Sequence, residues 1–319
     1  MFDTTTRMRK TVPVLLALGA IALLAAGASG AAGKQDSTRC LDVAPTIVGT
    51  PGDDTIVGTY DDDVIVGLSG NDTIDGLDGE DLICGGDGND VIRGGPEMDL
   101  LMADLGDDTL DGGDDLDIVA YLNAPGPVSA SLTTGTATGF GSDTLVSVEA
   151  LVGSSFADTL EGDAQDNYID GQPGDDTITA LDGDDFLDGD DGNDTIDGGL
   201  GEDIACYCWA PAPIVANLSR GTASGWGTDR LVAIEDLHGS QFADRLTGDA
   251  GANRIIGRRG NDQIAGGGGR DLLDGEQGAD SIAGGPGADR LDGGPGRDYL
   301  NGGPGRDRCM RGERKRSCP

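Results

Sequence analysis

A nine-residue repeat runs through most of this 319-residue chain. Eight units occupy residues 49–120, six occupy 153–206 and eight occupy 239–310. Position 1 is Gly in 20 of the 22 units, position 6 is Asp in 20, and position 8 is Ile, Leu or Val in 20. A unit this short buries its apolar residue only by stacking on its neighbours, so the repeat restricts the chain to a solenoid.

Each position of the unit has a physical role. Glycine at positions 1 and 4 permits the positive φ of a tight turn, and proline at position 3 of six units predicts that this position lies in the turn. Positions 7 to 9, such as Thr73-Ile74-Asp75, alternate polar, apolar and polar, which predicts a three-residue strand with one inward side chain. Two units per coil predict an all-β fold, a parallel β-roll or β-helix solenoid, with position-8 aliphatics facing each other across two sheets.

The charge of the chain requires a cationic partner. The sequence has 58 acidic and 21 basic residues, a net charge of -37, so nucleic acid is excluded as a partner by repulsion from phosphate. Position-6 aspartates such as Asp72 and Asp90 are 18 residues apart and fall on adjacent coils. Like charges at short range cost about 1 kcal/mol each even in water. Calcium takes six to eight oxygen ligands in flexible geometry, so it fits a site of carboxylates and turn carbonyls better than magnesium does.

The best-preserved units, "GLDGEDLIC", "GGDGNDVIR" and "GDDGNDTID", resemble the nonapeptide of RTX (haemolysin-type) calcium-binding proteins. The resemblance covers nearly all of the chain after its N-terminal segment, without an attached toxin or enzyme domain. It implies a β-roll that holds multiple Ca²⁺ ions between turns. Asp61, Glu97 and Asp115 replace the position-4 glycine and make their units doubtful sites. The position-6 residues implied as metal ligands are Asp54, Asp72, Asp81, Asp90, Asp108, Asp176, Asp185, Asp194, Asp203, Asp262, Asp271, Asp280, Asp289, Asp298 and Asp307.

The N-terminus predicts export. Arg7, Arg9 and Lys10 precede the apolar run "VPVLLALGAIALLAAGA" and an Ala-Gly-Ala cleavage pattern, which is typical of a secretory signal peptide. A single membrane anchor is the alternative, and no later segment could span a bilayer. The predicted organisation is a signal peptide at 1–28, a linker or cap at 29–48, a repeat array at 49–120, an irregular coil plus array at 121–206, a second such pair at 207–310, and a basic Cys-containing tail at 311–319.

The chain also carries an internal duplication. Residues 121–171 and 207–257 align without a gap, with 28 of 51 positions identical. Each copy opens with 32 residues that do not follow the nonapeptide, 121–152 and 207–238. We interpret these segments as irregular coils that continue the solenoid. Phe140 and Trp226 either line a ligand groove or pack to re-phase the coil, and the packing role is favoured.

Six cysteines and one histidine are candidates for other chemistry. In an oxidising compartment six cysteines allow fifteen pairings, of which Cys309–Cys318 is favoured because it closes the tail. Zinc is disfavoured, because the chain has one C-x-C and no paired C-x-x-C. His238 is interpreted as a strand or surface residue.

Three functions are compatible with the sequence. The favoured one is a secreted protein that folds on binding extracellular calcium, with no enzyme activity, since neither a nucleophile elbow nor a phosphate-binding loop is present. A calcium-dependent adhesion or structural protein that contacts cell-surface or matrix glycan is the alternative. A polysaccharide-modifying enzyme is the least favoured. The sequence does not indicate which oligomeric state the protein adopts.

The last 66 residues of the chain differ in charge. From Arg254 onward 12 basic residues accompany 10 acidic ones, and arginines 270, 297 and 306 each directly precede a position-6 Asp. Their charge disfavours a cation at the same turn. We therefore predict that array 49–120 depends more on calcium than 257–310, and that limited proteolysis during calcium removal cleaves the first array before the last.

Overall fold

A computed structural model describes residues 40–318, so the predicted signal peptide lies outside the described residues. This part of the chain forms 34 strands and one 3-10 turn, Leu218–Arg220. In chain order the strands are β1 (Ile47–Val48), β2 (Thr55–Val57), β3 (Val64–Ser69), β4 (Thr73–Asp75), β5 (Leu82–Asp87), β6 (Val91–Pro96), β7 (Leu100–Met102), β8 (Thr109–Asp114), β9 (Ile118–Ala120), β10 (Ser129–Ser131), β11 (Thr136–Thr138), β12 (Ser142–Val146), β13 (Ala150–Val152), β14 (Thr159–Glu161), β15 (Tyr168–Asp170), β16 (Thr177–Thr179), β17 (Phe186–Asp188), β18 (Thr195–Asp197), β19 (Ile204–Cys206), β20 (Val215–Asn217), β21 (Thr222–Ser224), β22 (Thr228–Val232), β23 (Asp236–His238), β24 (Arg245–Thr247), β25 (Arg254–Ile256), β26 (Arg259–Gly260), β27 (Gln263–Ala265), β28 (Leu272–Asp274), β29 (Gln277–Gly278), β30 (Ser281–Ala283), β31 (Arg290–Asp292), β32 (Tyr299–Asn301), β33 (Arg308–Met310) and β34 (Arg314–Arg316).

Two long sheets face each other along the molecule. The first sheet has 14 strands, all in parallel pairings, in the order β1, β3, β5, β7, β9, β13, β15, β17, β19, β23, β25, β28, β31 and β33. Ile65 pairs with Ile83, so one coil takes 18 residues, or two repeat units. The predicted parallel solenoid is therefore confirmed.

The second sheet has 18 strands and contains the other unit of each coil. Most of its pairings are parallel with the same step, as between Ile74 and Ile92. A separate pair, β26 and β29, joins two turns. Within the described residues no helix has the length and hydrophobicity of a membrane span.

The position-8 residues form the main hydrophobic core of the solenoid. Ile65, Ile74, Ile83 and Leu101 are fully buried at position 8, and the single apolar cluster they belong to extends from Ile56 to Leu300. Burying an Ile or Leu side chain contributes roughly 1.5–3 kcal/mol. The core is therefore thin, and every coil adds one contact layer to it.

The two 32-residue segments add an antiparallel meander to the second sheet. β12 pairs in parallel with β8 of the preceding coil, β11 lies antiparallel to β12 and β10, and β10 pairs in parallel with β14 of the next coil. β20, β21 and β22 repeat this arrangement between β18 and β24. Phe140 and Trp226 pack against the main core, which agrees with the favoured packing role.

Proline does not stay outside the strands. Pro96 is the last residue of β6, where it pairs with Asp114. A strand end tolerates proline because a missing N–H there interrupts no further ladder bond. Disulfides join Cys40 to Cys84, Cys206 to Cys208 and Cys309 to Cys318; the last is the pairing favoured by the sequence.

Candidate metal centre

The position-6 aspartates form a ladder along each edge of the solenoid. The backbone N–H of Asp72 donates to Oδ1 of Asp90 over 2.8 Å, and the N–H of Asp90 donates to Oδ1 of Asp108 over 2.9 Å. The second edge repeats the pattern, with the N–H of Asp81 donating to Oδ1 of Asp99 over 2.8 Å. Each carboxylate therefore has one oxygen fixed by the coil before it.

The other carboxylate oxygen is buried and has no partner. Fifteen aspartates share this unpartnered Oδ2. They are Asp72, Asp81, Asp90, Asp99, Asp117, Asp176, Asp185, Asp194, Asp203, Asp262, Asp271, Asp280, Asp289, Asp298 and Asp307. Thirteen of them belong to the set implied by the sequence. A buried polar atom without a hydrogen bond costs about 1–3 kcal/mol, and more when it is charged, so these oxygens require a ligand.

Oxygen atoms converge where the position-1 glycine leaves space. A Cβ at Gly76 would collide with Oδ2 of Asp81, in its own turn, and with the carbonyl oxygen of Gly94, one coil further on. The same two kinds of oxygen surround Gly94 and Gly266. Carboxylate and carbonyl oxygens are the ligands of hard cations such as Ca²⁺. The residues present therefore fit the ion that the sequence implies.

Many of the turns adopt positive φ at positions 2 and 4, whereas the position-1 glycines, for which the sequence predicted it, do not. Gly88 at position 4 has a φ of 138°, and a Cβ there would overlap the carbonyl oxygen of Gly70 on the preceding coil. Glu97 and Asp115 adopt the same left-handed region, with φ of 78° and 83°. Because Asp99 and Asp117 in these two units have an unpartnered Oδ2, losing the position-4 glycine does not remove the metal-type turn there.

The raised pKa values of the buried position-6 aspartates agree with a site that needs a cation. Burial, aided by neighbouring carboxylates, raises the pKa of Asp90 to about 7 and the pKa of Asp99 and Asp176 to about 8. Desolvation disfavours the charged form. A bound divalent cation restores that form by supplying the opposite charge.

Six units have a different turn, in which the chain itself partners the position-6 side chain. We call these the self-capped turns and the others the open turns. In a self-capped turn the position-2 N–H donates to the position-6 side chain, as from Thr59 to Asp63 over 2.7 Å and from Ser240 to Asp244 over 2.6 Å. The remaining four pairs are Thr50 with Asp54, Ser154 with Asp158, Asp163 with Asn167, and Asp249 with Asn253.

Self-capped turns come in pairs, because both turns of the first coil of each array are self-capped. The three coils are residues 49–66, 153–170 and 239–256. The position-2 hydroxyls of Ser154 and Ser240 add a bond to Oδ1 of the same aspartate, over 2.8 and 2.7 Å. These coils therefore partner their position-6 side chains without a metal.

Asparagine replaces aspartate only in this turn type. Asn167 and Asn253 are the two exceptions to position-6 Asp, and both lie in self-capped turns. Each accepts the position-2 N–H through Oδ1 and donates through Nδ2 to a carbonyl, that of Glu149 or Glu235. Asp54, in the implied set, is also self-capped, because its Oδ2 accepts both the N–H and the hydroxyl of Thr50.

The sequence contains a signal for this distinction. Among the 22 units, Ser or Thr at position 2 and Asn at position 6 occur only in self-capped turns. Selecting site residues by glycine at position 4 and aspartate at position 6 does not detect the self-capped turns, because the hydrogen bonds donated by the position-2 residue are not considered.

The stacked turns, with their rows of unpartnered carboxylate oxygens, define a metal-binding parallel β-solenoid. The chain matches the RTX calcium-binding nonapeptide repeat at residues 48–83, 57–92, 93–121, 149–178, 170–205, 238–273 and 274–309, which together cover more than half of it. The chain belongs to this family. A comparison with curated proteins found no match.

Proposed function

We propose that this protein is an exported calcium-dependent β-roll whose folding is completed by Ca²⁺ outside the cell. The observation that carries the proposal is the set of fifteen aspartates with a buried, unpartnered Oδ2. These are the proposed carboxylate ligands, and Asp108 remains a predicted one. Asp54 is left out because Thr50 occupies its Oδ2.

The chain prepares each site before an ion arrives. The N–H of the preceding coil orients the carboxylate through Oδ1, the position-1 glycine leaves room beside Oδ2, and turn carbonyls face the same space. The bound ion would supply the positive charge that these buried oxygens lack. Because the site combines two coils, binding is coupled to stacking, so the free energy of binding becomes free energy of folding.

The predicted export agrees with a calcium-dependent fold. The predicted signal peptide sends the chain to a compartment where calcium reaches millimolar concentration, and extracellular calcium modules bind at about 10⁻⁴ to 10⁻³ M. Folding would then follow export rather than precede it.

A role without catalysis is the simplest one for this architecture, because the acidic groups at the turns recur with the repeat and are accounted for by its geometry. The adhesion role needs the same calcium-loaded fold plus a glycan partner. Binding of the loaded protein to whole cells or cell-wall glycan, lost in chelator, would favour it.

The decisive experiment is a calcium titration of the chelator-treated protein. Circular dichroism should show β-structure increasing with calcium, and metal counting by mass spectrometry should find many ions per chain, close to the number of open turns. Magnesium at the same concentration should restore much less structure. Full β-structure in chelator, with no calcium retained after gel filtration, would contradict the proposal.

A further inference from the structure

Three metal-ligating side chains lie together on the first sheet, outside the ladders of aspartates. Cys206 ends β19 and His238 ends β23, and these two residues are direct partners in the parallel register. Cys208 follows two residues after Cys206. One ligand atom from each residue, two Sγ atoms and a ring nitrogen, lies within 4.8 Å of the others.

The cluster is buried, and one of its ring nitrogens has no hydrogen-bond partner. Cys206 and Cys208 are 1% exposed and His238 is 9% exposed. Nε2 of His238 has no hydrogen-bond partner, which is costly at such burial.

The duplication supplies an internal control for these three residues. At the fixed offset of the alignment, the other copy has Ala120, Leu122 and Val152 at the positions of Cys206, Cys208 and His238. The surrounding frame is shared, since Tyr207 donates to Asp229 over 2.9 Å as Tyr121 does to Asp143 over 3.2 Å. Apolar residues are thus sufficient for the fold at this place, and all three ligand positions differ together.

We propose that Cys206, Cys208 and His238 form a second metal site, specific for a thiophilic d¹⁰ cation, Zn²⁺ or Cu⁺. Two thiolates and an imidazole are soft to intermediate ligands that these ions bind strongly, whereas calcium requires oxygen. Two thiolates also balance the charge of Zn²⁺, which favours that ion in a buried place. The N–H of Cys208 donates to Sγ of Cys206 over 3.2 Å, a contact that stabilises a thiolate.

The site is controlled by the redox state of the pair. The structure joins Cys206 and Cys208 as a disulfide, which gives no thiolate ligands. Two molecules of a low-molecular-weight thiol supply two electrons and two protons, break the S–S bond to give two thiols and become one disulfide themselves. Binding of the metal then releases the two thiol protons. A reducing environment therefore opens this site, and oxidation closes it.

The test compares the calcium-loaded protein with a variant that carries the residues of the other copy, Cys206→Ala, Cys208→Leu and His238→Val. Both proteins are reduced, freed of reductant under nitrogen and titrated with Zn²⁺ and, separately, Cu⁺ against a chromophoric competitor. The reduced parent should bind one more equivalent than the variant, and His238→Val alone should weaken binding by about tenfold or more. Co²⁺ should give a thiolate charge-transfer band only in the parent.

A second measurement keeps the test valid if chemical reduction disturbs the other two disulfides. Parent and variant are produced in a reducing cytosol with added zinc and counted by native mass spectrometry in calcium. One additional zinc ion in the parent supports the site. Equal metal content in parent and variant, or equal binding by the oxidised and reduced parent, would overturn the proposal.

Discussion

The first coil of each array and the coils that follow it build the same nine-residue turn with different chemistry. In coil 153–170 the chain donates its own N–H and hydroxyl groups to the position-6 side chains. In the next coil, Asp176 and Asp185 each retain an unpartnered buried Oδ2. The difference shows that the chain itself supplies a partner for the position-6 side chain in one turn and leaves a carboxylate oxygen unpartnered in the other. Under the proposed function a cation partners that oxygen, and each array begins with a coil that is complete without metal, on which metal-dependent coils stack.

The largest expected effect is a loss of stability on glycine substitution, which should occur in an open turn but not in a self-capped turn. Gly88→Ala, in an open turn, places a Cβ at φ 138° against the Gly70 carbonyl and should destabilise the calcium-loaded protein by about 2–4 kcal/mol. Gly251→Ala is the matched control in a self-capped turn, where no positive φ is required and Oδ1 of Asp249, at 3.2 Å, is the nearest atom to the new Cβ. Its stability should stay within about 0.5 kcal/mol of the parent. Urea midpoints in saturating calcium measure both, and equal losses would contradict the distinction.

The second prediction concerns the position-6 charge. Asp90→Asn keeps the Oδ1 acceptor of the Asp72 N–H but removes the charge from an open turn, so the protein should lose at least one bound calcium and require several-fold more calcium for half-maximal folding. Asp158→Asn, in a self-capped turn, reproduces the residue found naturally as Asn167 and should leave the ion count unchanged. Calcium counting by mass spectrometry distinguishes the two variants, and loss of an ion from Asp158→Asn would show that capping does not replace the metal.

The third prediction is the pH dependence of the metal-free protein. Burial raises the pKa of Asp90 to about 7 and the pKa of Asp176 to about 8, so the folded chain holds protons that the unfolded chain has released. Stability in chelator should therefore be greatest below about pH 4 and should fall as the pH rises to about pH 8. The calcium affinity of the folded protein should increase over the same range, because protons and calcium compete for these carboxylates.

The self-capped turn of Asp63 should respond in the opposite sense. For Asp63, burial raises the pKa, but hydrogen bonds from Thr46 and Thr59 outweigh it, and the net pKa lies below the usual value. Its contribution is present above about pH 4 and is lost as the pH falls. Hydrogen exchange in chelator, followed at about pH 5 and pH 8, should show the open coils losing protection at the higher pH while coil 49–66 retains it. Loss of protection at pH 8 in coil 49–66, to the same extent as in the open coils, would argue against the difference at Asp63.

The fold could be predicted from the sequence because its cause is local and repeated. One aliphatic residue such as Ile92, repeated in register in 20 of the 22 units, leaves stacking as the only way to bury it. The meander of β10, β11 and β12 could not be predicted, because short strands in an irregular segment do not indicate which neighbour they pair with. The cluster of Cys206, Cys208 and His238 was missed because register, not spacing, brings His238 to the cysteines.

The smallest expected effect tests the caps directly. Ser240→Ala removes the hydroxyl that donates to Oδ1 of Asp244 over 2.7 Å and should destabilise the metal-free protein by about 1–2 kcal/mol. Calcium counting and calcium affinity should not change, because the open turns keep all their ligands. Ser281→Ala, at an exposed strand residue, is the control and should be neutral. If Ser240→Ala instead altered the ion count, the cap and the metal would belong to one site, and the start of each array would be an ordinary calcium coil.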